Sequence, residues 1–407
     1  MEVRPLRTPH LLVIPCERFP SDHSFLEEVH SRDQTRVRRT FLMRAKDAEA
    51  PRSTYWNEAP VRTRPLRASF RPLASFAVYF FDPRTVPEVL RVARDDRPDA
   101  VFIRDQTFPL LLALLLRPFC KWKVMYQRSY PHEWSWFEPA RVRQYRLPWL
   151  HVGSRRIELR ILRLLMRHAD AVIPISALMG EDLVAEGWCR PERVHPFGMG
   201  VTTAARRVPS PPSRSPGDRL RLVYIGTLDR SRGLERLLDA VVLARDRHGV
   251  DVELSMFGGT PEQVRAMRQE VVVRRLSDRV DVPGRLPRHD LYSRMASCHA
   301  AAIFIGRDPR YRIASTTKLL ESLAVGLPCV ATDAVAMHVD VAAASGAVLL
   351  SDDTAEGFAG AIARLESDWE VLAARAVEER DLVQEWYSYD RARERMDSLV
   401  TALVNGG

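Results

Sequence analysis

The chain has 407 residues, of which 46% are apolar and 28% charged. That is enough for two or three domains with their own cores, and too ordinary a composition for disorder or a fibrous repeat. The formal charge is +9, but only Lys46, Lys121, Lys123 and Lys318 are lysines, so the excess is written in arginine and identifies no partner. Five scattered cysteines without a CxxC pair argue against a disulfide framework or a zinc site and fit a reducing compartment.

Short β-rich runs alternate with helical patterns along the whole chain, the mark of parallel sheets covered by helices on both faces. The first half offers HLLVIP (10–15), RTFLMR (39–44), DAVFIRD (99–105), KVMYQ (123–127) and DAVIPIS (170–176) as strands. The apolar run 11–14 is too short for a secretory core. The run 110–116, closed by Pro109 and Arg117, falls well short of a membrane span and reads as a buried helix. VPSPPSRSPGD (208–218), with four prolines, reads as an exposed linker.

Beyond it the alternation restarts with RLVYIG (221–226). A helix follows with Leu234, Leu237, Leu238, Val241 and Val242 on one face, then VELSMFGG (252–259) and a helix over 261–276. RVDVPGRL (279–286), AAAIFIG (300–306), KLLESLAVG (318–326), LPCVATD (327–333) and GAVLL (346–350) complete the pattern. The expected fold is α/β: two Rossmann-like, doubly wound parallel-sheet domains facing a cleft. The first covers 1–207, with a C-terminal helix at about 387–407 packing back on it; the second covers 219–386. Ligands of open α/β sheets bind beyond the carboxyl ends of the strands.

Two segments point to an anion in that cleft. In GTLDRSRG (226–233) Gly226 permits close backbone approach, a helix start near Gly233 offers free N–H groups, and Arg230 and Arg232 add charge-assisted donors for a diphosphate. In STTKLLESLAVGLP (315–328) Ser315, Thr316 or Thr317 can cap a helix ending at Gly326, on which Lys318 and Glu321 share a face while Leu319, Leu320 and Leu323 lie on the buried side. A surface ion pair is the alternative for Lys318 and Glu321.

Taken together, LRLVYIGTLDRSRGLERLLDAV, VELSMFGGTPEQV, LSDRVDVPGRLPRHDLYSRMASCHAAAIFI and TTKLLESLAVGLPCVATD resemble, in order, the nucleotide-sugar-binding half of retaining glycosyltransferases of family 4 (glycosyl transferases group 1), which have the GT-B fold. HADAVIPISALMGEDLVAEGWCRPERVHPFGMGV and EWYSYDRARERM resemble the family's approach to the linker and its closing helix. The resemblance implies that Arg232 holds the donor diphosphate and Glu321 the ribose hydroxyls, with Arg232 and Lys318 as the catalytic groups that stabilise diphosphate departure. Lys318, Ser315, Thr316 and Thr317 would face phosphate or sugar; Gly226 and Thr227 would line the donor site; Gly258 and Gly259 would form the turn beside the base. Three features depart from the family pattern. Ile313 stands where many members carry a first glutamate, Thr227 where many carry arginine, and the N-terminal glycine-rich loop is replaced by CERFPSDHSFLEEV (16–29).

The resemblance further implies a retaining transfer without a cofactor or tightly bound metal, the nucleotide diphosphate sugar being the donor substrate. No DxD motif is present, and Asp352 and Asp353 read as a helix cap. In the first domain family analogy selects His132, in YQRSYPHEW, as the sugar contact; Glu133, Asp22 and His23 are further polar groups there. Residues 32–71 carry eleven basic against four acidic groups, and 141–167 eight arginines against Glu158. Such a surface fits an anionic membrane and a lipid-linked acceptor, or a solvated face without a partner. No nucleic-acid module is present. The expected protein is a cytoplasmic or peripherally membrane-bound hexosyl-type transferase (EC 2.4) acting on a glycan or glycolipid hydroxyl. A nucleotide-sugar epimerase of the same fold and a non-catalytic sugar-nucleotide-binding partner remain as alternatives.

Overall fold

The computed structural model describes residues 7–21, 23–46, 51–64, 85–138, 142–145, 147–215 and 217–406. It divides into two units, Met1–Gly198 with Asp390–Gly407, and Met199–Tyr389.

Unit 1 contains strands β1 (His10–Ile14), β2 (Arg18–Phe19), β3 (Arg38–Ala45), β4 (Ser53–Trp56), β5 (Ala59–Arg64), β6 (Ala100–Arg104), β7 (Lys123–Arg128) and β8 (Ala171–Pro174). The order is β4-β5-β3-β1-β6-β7-β8, with β2 beside β3; among the described residues only β4 runs antiparallel to its neighbour. β1, β6 and β8 are buried throughout, as expected of parallel strands covered on both faces. The β4–β5 hairpin was not expected. It turns at Asn57, whose φ of 51° suits asparagine. The closing helix Tyr389–Asn405 is anchored within this unit, where Asp397 pairs with the buried Arg39 and Arg393 donates to the Glu28 carbonyl at 3.0 Å.

Unit 2 holds β9 (Leu220–Ile225), β10 (Val252–Phe257), β11 (Val280–Gly284), β12 (Ala300–Ile303), β13 (Cys329–Thr332) and β14 (Val348–Ser351), all parallel, in the order β11-β10-β9-β12-β13-β14. The two-residue period of a strand divides its core. Leu220, Leu222, Tyr224, Ala300 and Ala302 join the cluster under helix Leu234–His248, while Val223, Ile225, Ala301 and Ile303 join the one under helix Thr317–Val325. Residues 199–207, read from sequence as part of the first domain, lie in unit 2. Val201 forms a parallel bridge with Ser388, and Val201 and Ala205 enter the second core cluster. The proline-rich segment is not a free tether: Arg214 forms a 2.6 Å ion pair with Glu366, and Arg380 donates to the Val208 carbonyl at 2.8 Å.

Candidate functional site

In unit 2 the strand order reverses between β9 and β12, the switch point at which open α/β sheets leave room for a ligand. The loops leaving these strands meet there, with Gly306 N–H donating to the Arg232 carbonyl at 2.8 Å. Gly226 N–H donates to Phe257 and Gly258 N–H to Gly284, at 3.0 and 2.9 Å, so the ends of β9, β10 and β11 are bonded edge to edge. Gly258 has φ +123° and a Cβ there would stand 2.0 Å from the Gly226 carbonyl oxygen. Gly259, at φ +77°, is hemmed in by Leu228. Both turns therefore require glycine.

Arg232 closes a short 3-10 turn, Arg230–Arg232, initiated by the Asp229 side chain, which accepts from Ser231 N–H at 2.9 Å. Gly233 then turns left-handed (φ 67°) and starts helix Leu234–His248 without a side-chain cap. The Arg232 guanidinium donates through Nε to Thr227 Oγ1 at 2.7 Å and lies over the Tyr311 ring at 5.3 Å. Tyr311 is itself fixed by a 2.7 Å hydroxyl contact with Ser231. Among the described residues no carboxylate stands within ion-pair distance of Arg232, although Arg236 pairs with Asp353, Arg307 with Asp333 and Arg310 with Asp308 nearby in the same unit. Arg232 is thus oriented by a hydroxyl and an aromatic face and left un-neutralised.

The hydroxyl cluster behaves differently from the sequence expectation. Thr316 occupies the N-cap position of helix Thr317–Val325 but makes no cap bond. Its hydroxyl meets His338 Nε2 at 2.8 Å, while His338 Nδ1 meets the Thr332 carbonyl at 2.8 Å. A carbonyl can only accept, so Nδ1 carries the proton and Nε2 accepts from Thr316. Burial lowers the His338 pKa to about 4, keeping the ring neutral. Ser315 Oγ accepts from Met199 N–H at 2.8 Å. Capping fails because these hydroxyls have partners outside the helix, which leaves the first-turn N–H groups without a side-chain cap. Thr317 is the first helical residue.

Lys318 Nζ lies 2.8 Å from Glu321 Oε2, and Tyr292 donates to Oε1 at 3.3 Å. Glu321 is buried and Lys318 part-exposed, so this is a half-buried pair rather than a solvated surface contact. Ile313, at the position of the missing glutamate, is buried.

In unit 1 the order likewise reverses between β1 and β6. Arg104, at the end of β6, donates to Glu17 at 2.9 Å and contacts His23 Nε2 at 2.9 Å. Asp105 follows in a left-handed conformation (φ 51°) and accepts from Ser129 N–H at 2.9 Å. His132 Nε2 stands 3.6 Å from Asp105 Oδ2, and its ring stacks on Trp136. Burial alone would raise the Asp105 pKa; hydrogen bonding from His132, the charges of His132 and Arg104, and the Ser129 hydroxyl outweigh it and hold the carboxyl at about 2. Glu133 is turned away from this group and paired with Arg128. Asp22 lies outside the described residues. Asp105 and His338 are the site groups that sequence reading missed. Asp105 had one signal, its position at a strand's carboxyl end; His338 had none.

Two parallel-sheet α/β units, each with polar groups gathered at its switch point, define a protein of the GT-B fold. Residues 25–200 match the family described as glycosyl transferase 4-like domain and residues 219–368 the family described as glycosyl transferases group 1. Both halves thus match glycosyltransferase domain families on a GT-B fold. WcaL of Salmonella typhimurium, whose name assigns it a glycosyltransferase role in colanic acid biosynthesis, is 24% identical over 242 residues, 59% of this chain; WcaL of Escherichia coli K12 is 26% identical over 245 residues. The match spans 58% of the length of these relatives. Among solved structures, sucrose-phosphate synthase from Thermosynechococcus elongatus is similar at a TM-score of 0.74 and 16% identity, over 98% of this chain and 100% of that one. Anabaena HepE in complex with UDP-glucose is similar at 0.65 and 16% identity, over 97% and 99%.

Proposed function

We propose that the protein transfers a hexose-type sugar, with retention, from a nucleoside-diphosphate sugar to an acceptor hydroxyl in glycan or glycolipid assembly. The observation that carries this reading is Arg232: an oriented guanidinium without a carboxylate partner, held by Thr227 and Tyr311 at the switch point of unit 2. A diphosphate supplies the missing negative charge, helped by the uncapped amides at Leu234 and Thr317. The UDP-glucose bound by the HepE relative supports a uridine nucleotide as the first donor to test, and the naming of the colanic acid relatives supports a polysaccharide-type acceptor.

In the reaction the bond from the anomeric carbon to the donor phosphate breaks, and the nucleoside diphosphate leaves with its electron pair. The acceptor oxygen forms the new bond to that carbon, and its proton passes to a phosphate oxygen. Arg232 and the helix-start amides stabilise the charge that develops on the leaving group, a contribution worth about 10² to 10³ in rate for one preorganised donor. No side-chain nucleophile or metal is required by this route. His132, steadied by Asp105, is the group of unit 1 assigned to a sugar hydroxyl. Glu321, held beside Lys318, is assigned to the ribose.

Calorimetric titration of UDP, GDP and ADP into the wild type and Arg232→Ala tests the reading. One nucleotide should bind the wild type, and the variant should bind it about ten- to a hundredfold more weakly, the range expected for one charge-assisted contact. No binding by any of the three at millimolar ligand, or unchanged affinity in the variant, overturns it. Product analysis excludes an epimerase by showing sugar on an acceptor, and slow donor hydrolysis excludes a pure binder.

A further inference from the structure

Helix Pro148–Met166 in unit 1 buries polar groups in its first half and exposes apolar ones along its length. Its inward side carries His151, Arg155 and Glu158, all buried, followed by Leu162, Leu165 and Met166. Arg155 pairs with Glu158 and lies 4.7 Å over the Trp136 ring; Glu158 also accepts from Thr107 at 3.1 Å, and the His151 ring stacks on Tyr145 at 3.8 Å. Its outward side carries Trp149 (72% exposed), Leu150, Ile157 (55%) and Leu164 (56%). Leu150, Ile157 and Leu164 are seven residues apart, a spacing that drifts only about 20° per step and therefore forms one stripe. A water-facing helix is built the other way round.

Arginines flank the stripe: Arg156, Arg160, Arg163 and Arg167 are all exposed, whereas the helix's only carboxylate, Glu158, is turned inward. Leu164 also borders a depression of about 830 Å³ lined by Arg117, Lys121, Lys123, Arg167, Arg190 and Arg193. One carboxylate lines it, that of Asp170, which already accepts from Val124 N–H at 2.8 Å and pairs with Arg117 at 3.5 Å. Two of the chain's four lysines are here. The depression lies at the amino ends of β7 and β8, the opposite end of the sheet from Asp105 and His132, and so is separate from the polar cluster at the switch point.

From this juxtaposition we infer that the outer face of helix Pro148–Met166 seats the protein on an anionic lipid surface, and that the basic depression receives the lipid phosphates. Apolar side chains flanked by arginine, without outward carboxylates, match the boundary between acyl chains and negatively charged headgroups. A water-soluble partner with an acidic face would pair with the arginines but leave Trp149, Ile157 and Leu164 unmatched. The inference is independent of the donor chemistry.

The test is co-sedimentation of the full chain with vesicles of phosphatidylcholine alone and of phosphatidylcholine with phosphatidylglycerol, at low and high salt. The wild type should bind the anionic vesicles and weaken with salt. Arg156→Glu/Arg160→Glu should lower partitioning at least about tenfold, since each basic group near such a surface accounts for about a fivefold change and is here reversed. Ile157→Ser/Leu164→Ser should lower the binding that survives high salt. Exposed positions were chosen so that melting temperature and nucleotide titration stay at wild-type values, which separates lost docking from lost folding. Absence of binding to anionic vesicles at both salts overturns the inference, as does unchanged binding in both variants. A concentration-dependent dimer that Ile157→Ser/Leu164→Ser dissociates, without vesicle binding, also overturns it and assigns the face to a second copy of the chain.

Discussion

Gly258→Ala tests whether the close backbone approach at the ends of β9 and β10 is required for the donor site. The added Cβ would stand 2.0 Å from the Gly226 oxygen, where real Cβ contacts do not fall below 3.0 Å, so the two turns must separate by at least about 1 Å. The atom in the way is backbone and cannot rotate aside. Separation weakens the bonds from Gly226 N–H to Phe257 and from Gly258 N–H to Gly284, each worth about 1 kcal/mol. A non-glycine residue at φ +123° adds about 1 to 3 kcal/mol. The sum is about 3 to 5 kcal/mol, or roughly 10 °C in the melting temperature of a unit this size. Nucleoside diphosphate affinity should fall as well, because the displaced turn adjoins Gly226 and Thr227. Gly360→Ala is the control: this helical glycine has nothing within 4 Å of its Cβ position and should gain about 0.5 to 1 kcal/mol. Differential scanning calorimetry with nucleotide titration reads both effects. A Gly258→Ala protein that melts with the wild type and binds nucleotide equally refutes the argument.

Two further outcomes follow from the hydrogen-bond geometry. His338 has a folded pKa of about 4 against the ordinary histidine value of 6.5, lowered mainly by burial, so the unfolded chain takes up its proton first. Its contribution is complete above pH 6.5 and is lost progressively toward pH 4, by about 3 kcal/mol. Urea titrations over that range should show His338→Asn to be less stable at pH 7 but with a shallower acid slope; an identical slope contradicts this. Lys318→Met leaves the Glu321 carboxylate buried without its cation, whereas Lys318→Met/Glu321→Leu removes both charges. The single variant should therefore be the less stable of the two in thermal melts, by about 1 to 3 kcal/mol, and the reverse order would show that the pair is not structural.

Much of the architecture was legible because parallel strands buried on both faces must be continuous apolar runs. β1, β6 and β9 fall within a residue or two of where hydrophobicity places them. The β4–β5 hairpin escaped because STYW alternates exposed and part-buried positions and β5 contains Pro60 and three charged or hydroxyl residues, so it presents no continuous run. The location of Arg232 near the switch point of unit 2 was legible from its place after a strand–glycine turn. The fate of Thr316 was not: its partner His338 is 22 residues away, and only the fold decides that a hydroxyl at an N-cap bonds to an imidazole instead of an amide. Asp105 and His132 are likewise brought together by adjacent strands β6 and β7, a pairing that spacing along the chain does not encode.

In a chain this rich in arginine, abundance says nothing about anion binding; neutralisation does. Near the switch point of unit 2, Arg236, Arg307, Arg310 and Lys318 each have a carboxylate and contribute little net field. Of the departures from the family pattern, Thr227 is the one that touches Arg232. Thr227, where many relatives carry a second arginine, provides a neutral acceptor for Arg232 Nε instead of a repelling charge. Ile313, at the position where the resemblance leads one to expect a glutamate, is buried and brings no carboxylate. What distinguishes Arg232 is the fixed orientation that Tyr311 and Thr227 give it. On this argument Thr227 and Tyr311 matter to donor affinity through Arg232, and substituting either after Arg232 has been removed should change that affinity little.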